Sequence, residues 1–578
     1  MSLYKVSDVN EIYKNLNENL KSGFNLHNDG FVSPLSQLVT LLSMNNDYKE
    51  FLFTETKWIT IMETLFSLSE HFGNKINDVS DLYLRLVRGI FLLTRNILSV
   101  NSLKNISSND SRLYNLHFGI IKFYINIEIK KMKLALNNII LECLCNLTSL
   151  TPHYQLGNVF NINLGLDIDS FITSDVLNIV DILEIFIENL SELKNDNFAL
   201  LLYFSNLVLK NDNFIQYGLR SVKFKTNIME EFFVNQQLNQ SFYESLTNSK
   251  QQNGVEELLS PKDLISLKTL KKFLIHESMP GYLKSLNIKN KSEESFQNHL
   301  ILSNWIKSAT ILLCSVYKYD SFELTNIMIW VIMFMDDFCA DVNTLFDTYK
   351  INDITTEFID KEITPFLDFL YEDLVNILDL LSFLLQFEHS QKFLIHYKGV
   401  EKLSKLLQTF QINCYKLSVY VDEKDGNTLK LNDNLKKNDN YKNWQKVIDT
   451  SENKIKSLNF PHCKSLIIEI LNKLLIIENE GTETLDNIYN LQEQFRELGV
   501  LEITLSNCGI DDNEPFIKER CIMFLKHLLY KNSQNQNMVA ELEQRKKVDS
   551  ESESLLEEIG YEVDINDDGK IGLKKQSI

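Results

Sequence analysis

Three apolar segments in the first half of the chain share one design, and this repetition constrains the fold more than any other feature. In the first segment, apolar residues recur at three- and four-residue spacing, which predicts a helix with one apolar face. These residues are Leu82, Leu86, Ile90 and Leu93. Residues 134–150 and 198–209 repeat the pattern. Helices of this kind bury their apolar faces by stacking on their neighbours, which predicts an all-α, armadillo- or HEAT-like α-solenoid.

An asparagine near the end of each segment strengthens the repeat. The three are Asn96, Asn146 and Asn206. The alternative is an irregular helical bundle, because any helical protein with an Asn-rich sequence shows similar patterns. Seven Pro and eighteen Gly in 578 residues leave few interruptions, so both alternatives predict long helices joined by polar turns.

A second repeated phrase lies further along the chain. Gly399 and Gly499 each follow one helical pattern, precede a valine and begin another amphipathic stretch. Because glycine is common where helices end, each is predicted to separate two helices. Two copies about a hundred residues apart are typical of a repeat array.

Charge and cysteine usage restrict the partners and the compartment. The chain has 58 Lys and Arg against 78 Asp and Glu, a net charge of -20, which phosphate backbones and anionic lipids repel. We therefore expect no nucleic-acid partner and no membrane binding. The eight cysteines lie mostly in apolar helical stretches and predict free thiols in a reducing compartment, so we expect a cytoplasmic protein.

Two further observations argue against a membrane segment. The first residues carry charges where a secretory signal needs an apolar run. The longest apolar runs, such as 327–335, have about half the length that spans a bilayer.

Composition along the chain predicts six segments. They are N-terminal helical repeats at 1–245, a polar linker at 246–296, central helical repeats at 297–410, a polar insertion at 411–457, a C-terminal domain at 458–545, and an acidic linker with a hairpin tail at 546–578. The insertion is rich in Asn, Lys and Asp and has no apolar periodicity, which predicts a long surface loop or a disordered segment.

The stretch 496–543 predicts two amphipathic helices followed by an Asn/Gln turn and a third helix. Pro515 suits the first position of the second helix, with Asn513 as its N-cap and Phe516 as a core residue. Asp511 and Asp512 are read either as an exposed acidic turn for a basic partner or as caps that join adjacent repeats through backbone N–H groups. We favour the structural interpretation.

The wording of this stretch resembles the ataxin-10 family, whose C-terminal domain carries a run of the type IDDNNPFIREWA followed by an Asn- and Gln-containing turn. The corresponding residues are 510–520, then Leu528, Leu529, Asn532, Asn535 and Gln536. The chain differs from the family's sequence motif at Glu514, Arg520 and Cys521. The resemblance covers roughly the last fifth of the chain and suggests a divergent fungal member, a group also called copper transport proteins.

The resemblance implies an armadillo-like adaptor that binds partner proteins, with roles in cytokinesis and polarised growth. It also marks a set of motif residues with structural or partner-binding roles. These are Gly499, Asp511, Asp512, Asn513, Pro515, Phe516, Arg520, Asn535 and Gln536. The alternative function is copper homeostasis or metal handling, which the name of the fungal group suggests.

The last residues allow two interpretations. Asp564, Asn566, Asp568 and Gly569 match the opening of a calcium-binding EF-hand loop, but Lys575 stands where a bidentate Glu is needed. The favoured alternative is a β-hairpin. It pairs Val563 and Ile565 with Ile571 and Leu573. Upstream, Ser550, Ser552 and Ser554 lie among glutamates and are either sites for acid-directed kinases or part of a solvated linker.

Copper binding needs thiolates or thioethers that converge on the ion. Cys143 and Cys145 lie two apart on a predicted helix and point to opposing sides, as do Met333 and Met335. The ten histidines form no His-x-x-x-His motif, and no phosphate-binding loop or nucleophile elbow occurs. We therefore predict no catalytic residue, metal, cofactor or small-molecule ligand.

Overall fold

A computed structural model describes most of the chain. The described residues are 5–21, 29–55, 57–72, 81–100, 111–150, 168–193, 198–221, 224, 228, 261–287, 293–315, 318–348, 356–358, 364–418, 428–430, 435–437, 444–449, 454–476, 482–509, 511–514, 516–545, 561–565 and 571–575. They form two compact units, 1–285 and 286–578. This division falls within the predicted linker 246–296, and the six segment boundaries stay predictions.

The first unit is helical in its described residues. Its helices are α1 (Val6–Lys21), α2 (Val32–Met44), α3 (Asn46–Thr54), α4 (Lys57–Phe72), α5 (Asp81–Leu98), α6 (Ser111–Ile125), α7 (Lys130–Ser149), α8 (Ile168–Leu193), α9 (Phe198–Lys210), α10 (Asp212–Gly218) and α11 (Pro261–Leu274). The boundary between the units falls in α12 (Met279–Leu286).

Five helices of this unit, α2, α5, α7, α9 and α11, stack in order, each packing on the next. The three asparagines that mark the sequence repeat join the stack. Asn96 donates to the carbonyl of Val39 at 3.2 Å, and Asn146 donates to the carbonyl of Arg95 at 3.1 Å. Asn206 donates to Ser149 Oγ at 2.9 Å. Each Asn thus reaches back to the preceding stacked helix, and the solenoid prediction is confirmed over the irregular bundle.

The second unit contains helices and short strands. The helices are α13 (Glu293–Ser315), α14 (Ser321–Thr348), α15 (Thr356–Phe358), α16 (Thr364–Leu384), α17 (Glu388–His396), α18 (Gly399–Asn413), α19 (Cys463–Lys473), α20 (Thr482–Glu497), α21 (Val500–Ser506), α22 (Ile517–Leu529) and α23 (Ser533–Arg545). The strands are β1 (Lys416–Ser418), β2 (Thr428–Lys430), β3 (Leu435–Lys437), β4 (Gln445–Asp449), β5 (Lys454–Asn459), β6 (Tyr561–Ile565) and β7 (Ile571–Lys575).

In this unit α13, α16, α19 and α22 form a second stack. The two glycine phrases mark equivalent helices, because α18, which starts at Gly399, packs on α21, which follows Gly499. The glycines serve different purposes. Gly499 itself has a left-handed φ of 69°, whereas at the first phrase Lys398 takes this conformation. Gly399 is needed for space, since a Cβ there would lie 2.1 Å from Leu394 Cδ1.

The insertion predicted as a loop contains regular structure in its described residues, so that prediction is wrong for them. Strands β1 and β2 pair in parallel, and β3, β4 and β5 form an antiparallel sheet. Two buried residues of β5 are polar, Ser457 and Asn459, and they hydrogen-bond to each other at 2.7 Å. An apolar alternation therefore never appears in the sequence. Trp444 ties the insertion to α16 by donating to Asp368 Oδ1 at 2.7 Å.

The C-terminal hairpin is confirmed. Strands β6 and β7 are antiparallel and pair Val563 with Leu573 and Ile565 with Ile571. The Asn566, Asp568 and Gly569 positions of the EF-hand alternative lie outside the described residues. Across the described part of the chain, helices with the length and apolarity to cross a bilayer are absent.

Candidate functional site

The stretch 496–543, called the signature stretch below, forms a buried ion cluster with the start of α19. Asp511 lies 3.3 Å from the ammonium of Lys464, and the two side chains are 1% and 5% exposed. The second carboxylate, on Glu514, is fully buried beside them. Burial alone lowers the pKa of Lys464, but the charges of Asp511 and Glu514 outweigh it and hold that pKa above its usual value. One cation therefore serves two carboxylates.

Glu514 caps the start of α19. Its two carboxylate oxygens accept the backbone N–H groups of Lys464 at 3.2 Å and Ser465 at 3.3 Å. The first N–H groups of a helix have no partner within the helix, so this carboxylate satisfies donors that would otherwise be buried alone. Burial raises the pKa of Glu514 to about 7. The sequence showed Glu514 only as a departure from the family wording and did not reveal this role.

Two assignments in the neighbouring turn are wrong. Helix α22 begins at Ile517, and its N-cap position is held by Phe516 with a left-handed φ of 67° and no capping side chain. Asn513 therefore does not cap this helix; its backbone N–H donates to Asp511 Oδ1 at 3.0 Å. Phe516 is not a core residue either, since it is 71% exposed. Pro515 lies outside the described residues.

The expected joining of adjacent repeats occurs, but through Asp511 and Glu514 and not through Asp512. Asp511 and Glu514 bind α19, as described above, whereas Asp512 is exposed. The structural interpretation of Asp511 could not identify Lys464 as its partner, because Lys464 lies 47 residues upstream.

The Asn/Gln turn after α22 caps that helix from its far end. Asn535 donates its side-chain N–H to the carbonyl of Leu528 at 2.9 Å, and Gln536 donates to that of Leu529 at 2.8 Å. Asn532 accepts the backbone N–H of Asn535 at 2.9 Å and so caps the start of α23. These motif residues stabilise the junction of two helices.

Arg520 and Gly499 also have structural surroundings. Arg520 forms an ion pair with Glu469 of α19 at 2.8 Å, and Glu469 accepts a hydrogen bond from Ser382 of α16 at 2.7 Å. Three successive stacked helices are thus joined by one carboxylate. Gly499 stands at the N-cap of α21, where its left-handed φ would strain any other residue.

A small cavity adjoins the ion cluster. It is lined by Phe410, Cys414, Tyr415, Asn459, Phe460, Lys464, Asn513 and Glu514. The walls come from α18, the beginning of the insertion, the end of β5, the start of α19 and the turn before α22. Residues distant in sequence therefore meet here, and the insertion is fixed to the terminal repeats at this point.

The surface near this cluster displays apolar side chains. Phe516 immediately precedes α22, and Met523 on that helix is 48% exposed. Glu519, between them, is also exposed. A left-handed conformation costs a non-glycine residue on the order of 1 kcal/mol. Phe516 is therefore both strained and accessible.

The thiols are not gathered for metal binding. Cys143 donates to the carbonyl of Phe91 on α5 and Cys145 to that of Ala199 on α9, so the two point to opposite neighbours, as predicted. Burial raises the pKa of both thiols, which opposes the thiolate form that metals bind. The described residues contain no group of three His, Cys, Asp or Glu side chains able to hold a metal ion.

One polar cluster in the second unit has the residue types of a hydrolase. Ser303 donates to Asp373 Oδ1 at 2.5 Å, and His299 lies 3.9 Å from the other oxygen of that carboxylate. Burial raises the pKa of Asp373 to about 7. Ser303 and Asp373 are both buried, so the contact lies inside the packing of the stacked helices and not on a surface open to substrate. It joins α13 to α16.

The acidic serines Ser550, Ser552 and Ser554 lie outside the described residues.

Comparison with known proteins places the signature stretch in a wider context. Residues 473–574 match the spinocerebellar ataxia type 10 protein domain. Over 86% of its length the chain is 32% identical to the ataxin-10 homolog of Candida glabrata and covers 85% of that protein. It is 27% identical to the homolog of Kluyveromyces lactis, over 86% of this chain and 83% of that one. Similarity to bovine ataxin-10 extends over 86 residues, 15% of this chain and 17% of that protein, at 35% identity.

Proposed function

The chain belongs to the ataxin-10 family, and we propose that it is a non-catalytic adaptor that binds partner proteins through exposed faces of its helical repeats. The family resemblance adds cytokinesis and polarised growth as the processes in which it acts. Its eight cysteines are all free thiols, which supports a cytoplasmic location. Because Cys143 and Cys145 point to opposite neighbouring helices, they do not support the alternative of copper handling.

Phe516 carries the proposal. The left-handed backbone itself belongs to the turn, because Lys398, His462 and Gly499 take it at the same position before other helices. What distinguishes Phe516 is its side chain, which neither fills the core nor caps α22. Its aromatic ring is exposed instead, and Met523 of the following helix is exposed as well. Large aromatic side chains that enter a partner's pocket dominate the affinity of many protein interfaces. We assign Phe516 as an anchor that enters an apolar pocket of a partner protein.

The other motif residues support this division of roles. Asp511, Glu514, Asn535 and Arg520 all bind neighbouring helices, so their substitution damages the fold before it affects recognition. Truncation of the C-terminal helices would likewise uncover the apolar face of α19 on which α22 packs. A single exposed side chain gives a cleaner test.

The test is quantitative affinity capture of the tagged full-length chain from cells that express it. Phe516→Ala should lose at least one partner that the unaltered chain recovers. Met44→Ala is the matched control, because Met44 is 69% exposed in the other unit. It should recover the same proteins at the same yield as the unaltered chain. Equal recovery of every partner by Phe516→Ala would refute the anchor.

A further inference from the structure

Charge is segregated between the helices of the first unit. The five stacked helices α2, α5, α7, α9 and α11 contain eleven Lys and Arg against three Asp and Glu, a net charge of +8. The other described helices before residue 261, namely α1, α3, α4, α6, α8 and α10, contain six Lys and Arg against fourteen Asp and Glu, a net charge of -8. A basic layer therefore exists within a chain whose net charge is -20.

The basic side chains of this layer divide into two groups. Some are neutralised within the unit. Arg95 pairs with Glu142 at 2.8 Å, Lys130 pairs with Glu192 at 2.5 Å, and Lys272 pairs with Asp212 at 2.8 Å.

Others are exposed and have no carboxylate partner among the described residues. They are Arg85 and Arg88 on α5, Lys131 on α7 and Lys268 on α11. Arg85 and Arg88 are three residues apart and share one face of their helix. These four residues are called the basic stripe below.

The asparagine contacts align the stacked helices side by side. Because Asn146 on α7 bonds to the carbonyl of Arg95, one residue before Asn96, equal distances from these asparagines correspond to equal heights in the stack. Arg85 and Arg88 lie 11 and 8 residues before Asn96, whereas Lys131 lies 15 residues before Asn146. Lys131 is therefore displaced from the two arginines by about one to two helical turns, and the stripe runs obliquely across the stack. Thr269 on α11 bonds to Ser205 on α9 at 2.8 Å and extends the alignment.

We propose that the basic stripe of the first unit binds an acidic segment of a partner protein in an extended conformation. Neighbouring stacked helices lie about 10 Å apart, so α5 and α11, which are three steps apart, are separated by about 30 Å. An extended chain covers about 3.3 Å per residue, so a segment of at least about nine residues is needed to span the stripe. Guanidinium groups suit carboxylates because both are planar and can form paired hydrogen bonds.

An acidic peptide fits this surface better than nucleic acid does. The neighbouring acidic helices and the net charge of -20 repel a long phosphate backbone, whereas a short segment meets only the local positive field. The inference rests on the proposed function, since it names the chemistry of one partner, but it concerns the first unit and not Phe516.

The experiment measures fluorescence anisotropy of a labelled twelve-residue peptide of alternating Glu and Ser with the full-length chain at about 50 mM salt. Binding is expected, and it should weaken as salt rises because exposed charges are screened. Arg85→Glu/Arg88→Glu should weaken binding by about fivefold or more, since two favourable pairs become repulsive. Lys14→Glu/Lys21→Glu is the matched control, because it changes the net charge equally at exposed positions of α1. It should bind like the unaltered chain.

Three results would overturn the proposal. The first is no binding of the acidic peptide, and the second is equal weakening by the control variant, which would show that only net charge matters. The third is tighter binding of a twelve-nucleotide oligothymidine, or of phosphatidylserine vesicles, that Arg85→Glu/Arg88→Glu abolishes. Phe516→Ala should bind the acidic peptide normally, so a failure here is distinct from a failure of the proposed adaptor function.

Discussion

Replacing Lys464 by methionine should destabilise the second unit strongly. Two unit charges 3.3 Å apart, the distance from Lys464 to Asp511, attract by about 5 kcal/mol at an effective dielectric constant of about 20. Much of this attraction offsets the cost of burying the charges, so the quantity that matters is the cost of leaving carboxylates without a cation. Removing one partner of a buried pair costs about 3–5 kcal/mol. We expect Lys464→Met to lower the free energy of unfolding by this amount.

Urea unfolding followed by tryptophan fluorescence measures this effect. Three of the four tryptophans, Trp305, Trp330 and Trp444, lie in the second unit, so the signal reports mainly on its unfolding. Lys405→Met is the control, because Lys405 is exposed on α18. Surface changes of this kind stay within about 0.5 kcal/mol.

A neutral version of the cluster separates the loss of charge pairing from the loss of packing. Lys464→Met/Asp511→Asn/Glu514→Gln removes both carboxylates together with the cation. Replacing all charges of a buried cluster is often nearly neutral, so this variant should recover about 2 kcal/mol or more relative to Lys464→Met alone. The reasoning fails if Lys464→Met costs less than about 1 kcal/mol, or if the neutral variant is as unstable as the single one.

Three further predictions use the same unfolding assay. Gly499→Ala should cost about 1 kcal/mol because the φ of Gly499 is left-handed. Gly509→Ala is the control in the same unit and should change stability less, since a Cβ at Gly509 would meet open space; equal effects would contradict this. Asn535→Ala should cost about 1–3 kcal/mol, since the carbonyl of Leu528 loses its donor, and no change would argue against this cap. Burial raises the pKa of Glu514 from 4.5 to about 7, so its contribution to stability is complete below about pH 4.5 and is lost as pH rises through 7. Glu514→Gln should therefore reduce the fall in the free energy of unfolding over this pH range. An unchanged pH profile would count against this role of Glu514.

The repeat architecture could be predicted because its signals are local. The apolar spacing of each stacked helix and the asparagine near its end lie within one segment, and each Asn bonds to the helix before it. The hairpin register followed in the same way from two apolar alternations either side of a polar turn. Such patterns depend on backbone geometry and on which face is buried, and both can be read from sequence spacing.

The candidate site could be predicted only in part, because its geometry depends on residues far apart in sequence. The sequence around Glu514 does not indicate that its carboxylate accepts the backbone N–H groups of Lys464 and Ser465. Phe516 was misassigned for a related reason. An aromatic residue beside a helical apolar stripe is ordinarily buried, but Phe516 precedes the helix in a left-handed conformation and its ring is exposed. The strands of the insertion could not be predicted from apolar alternation, because β5 buries polar residues.

Hydrogen exchange at the start of α19 tests the central claim, that buried residues of the signature stretch join adjacent helical repeats. The backbone N–H groups of Lys464 and Ser465 have Glu514 as their acceptor. They should therefore exchange slowly in the unaltered chain, and Glu514→Ala should accelerate them by about tenfold or more while Leu471, further along α19, changes less. Fast exchange at Lys464 and Ser465 in the unaltered chain, or no acceleration in the variant, would contradict the claim.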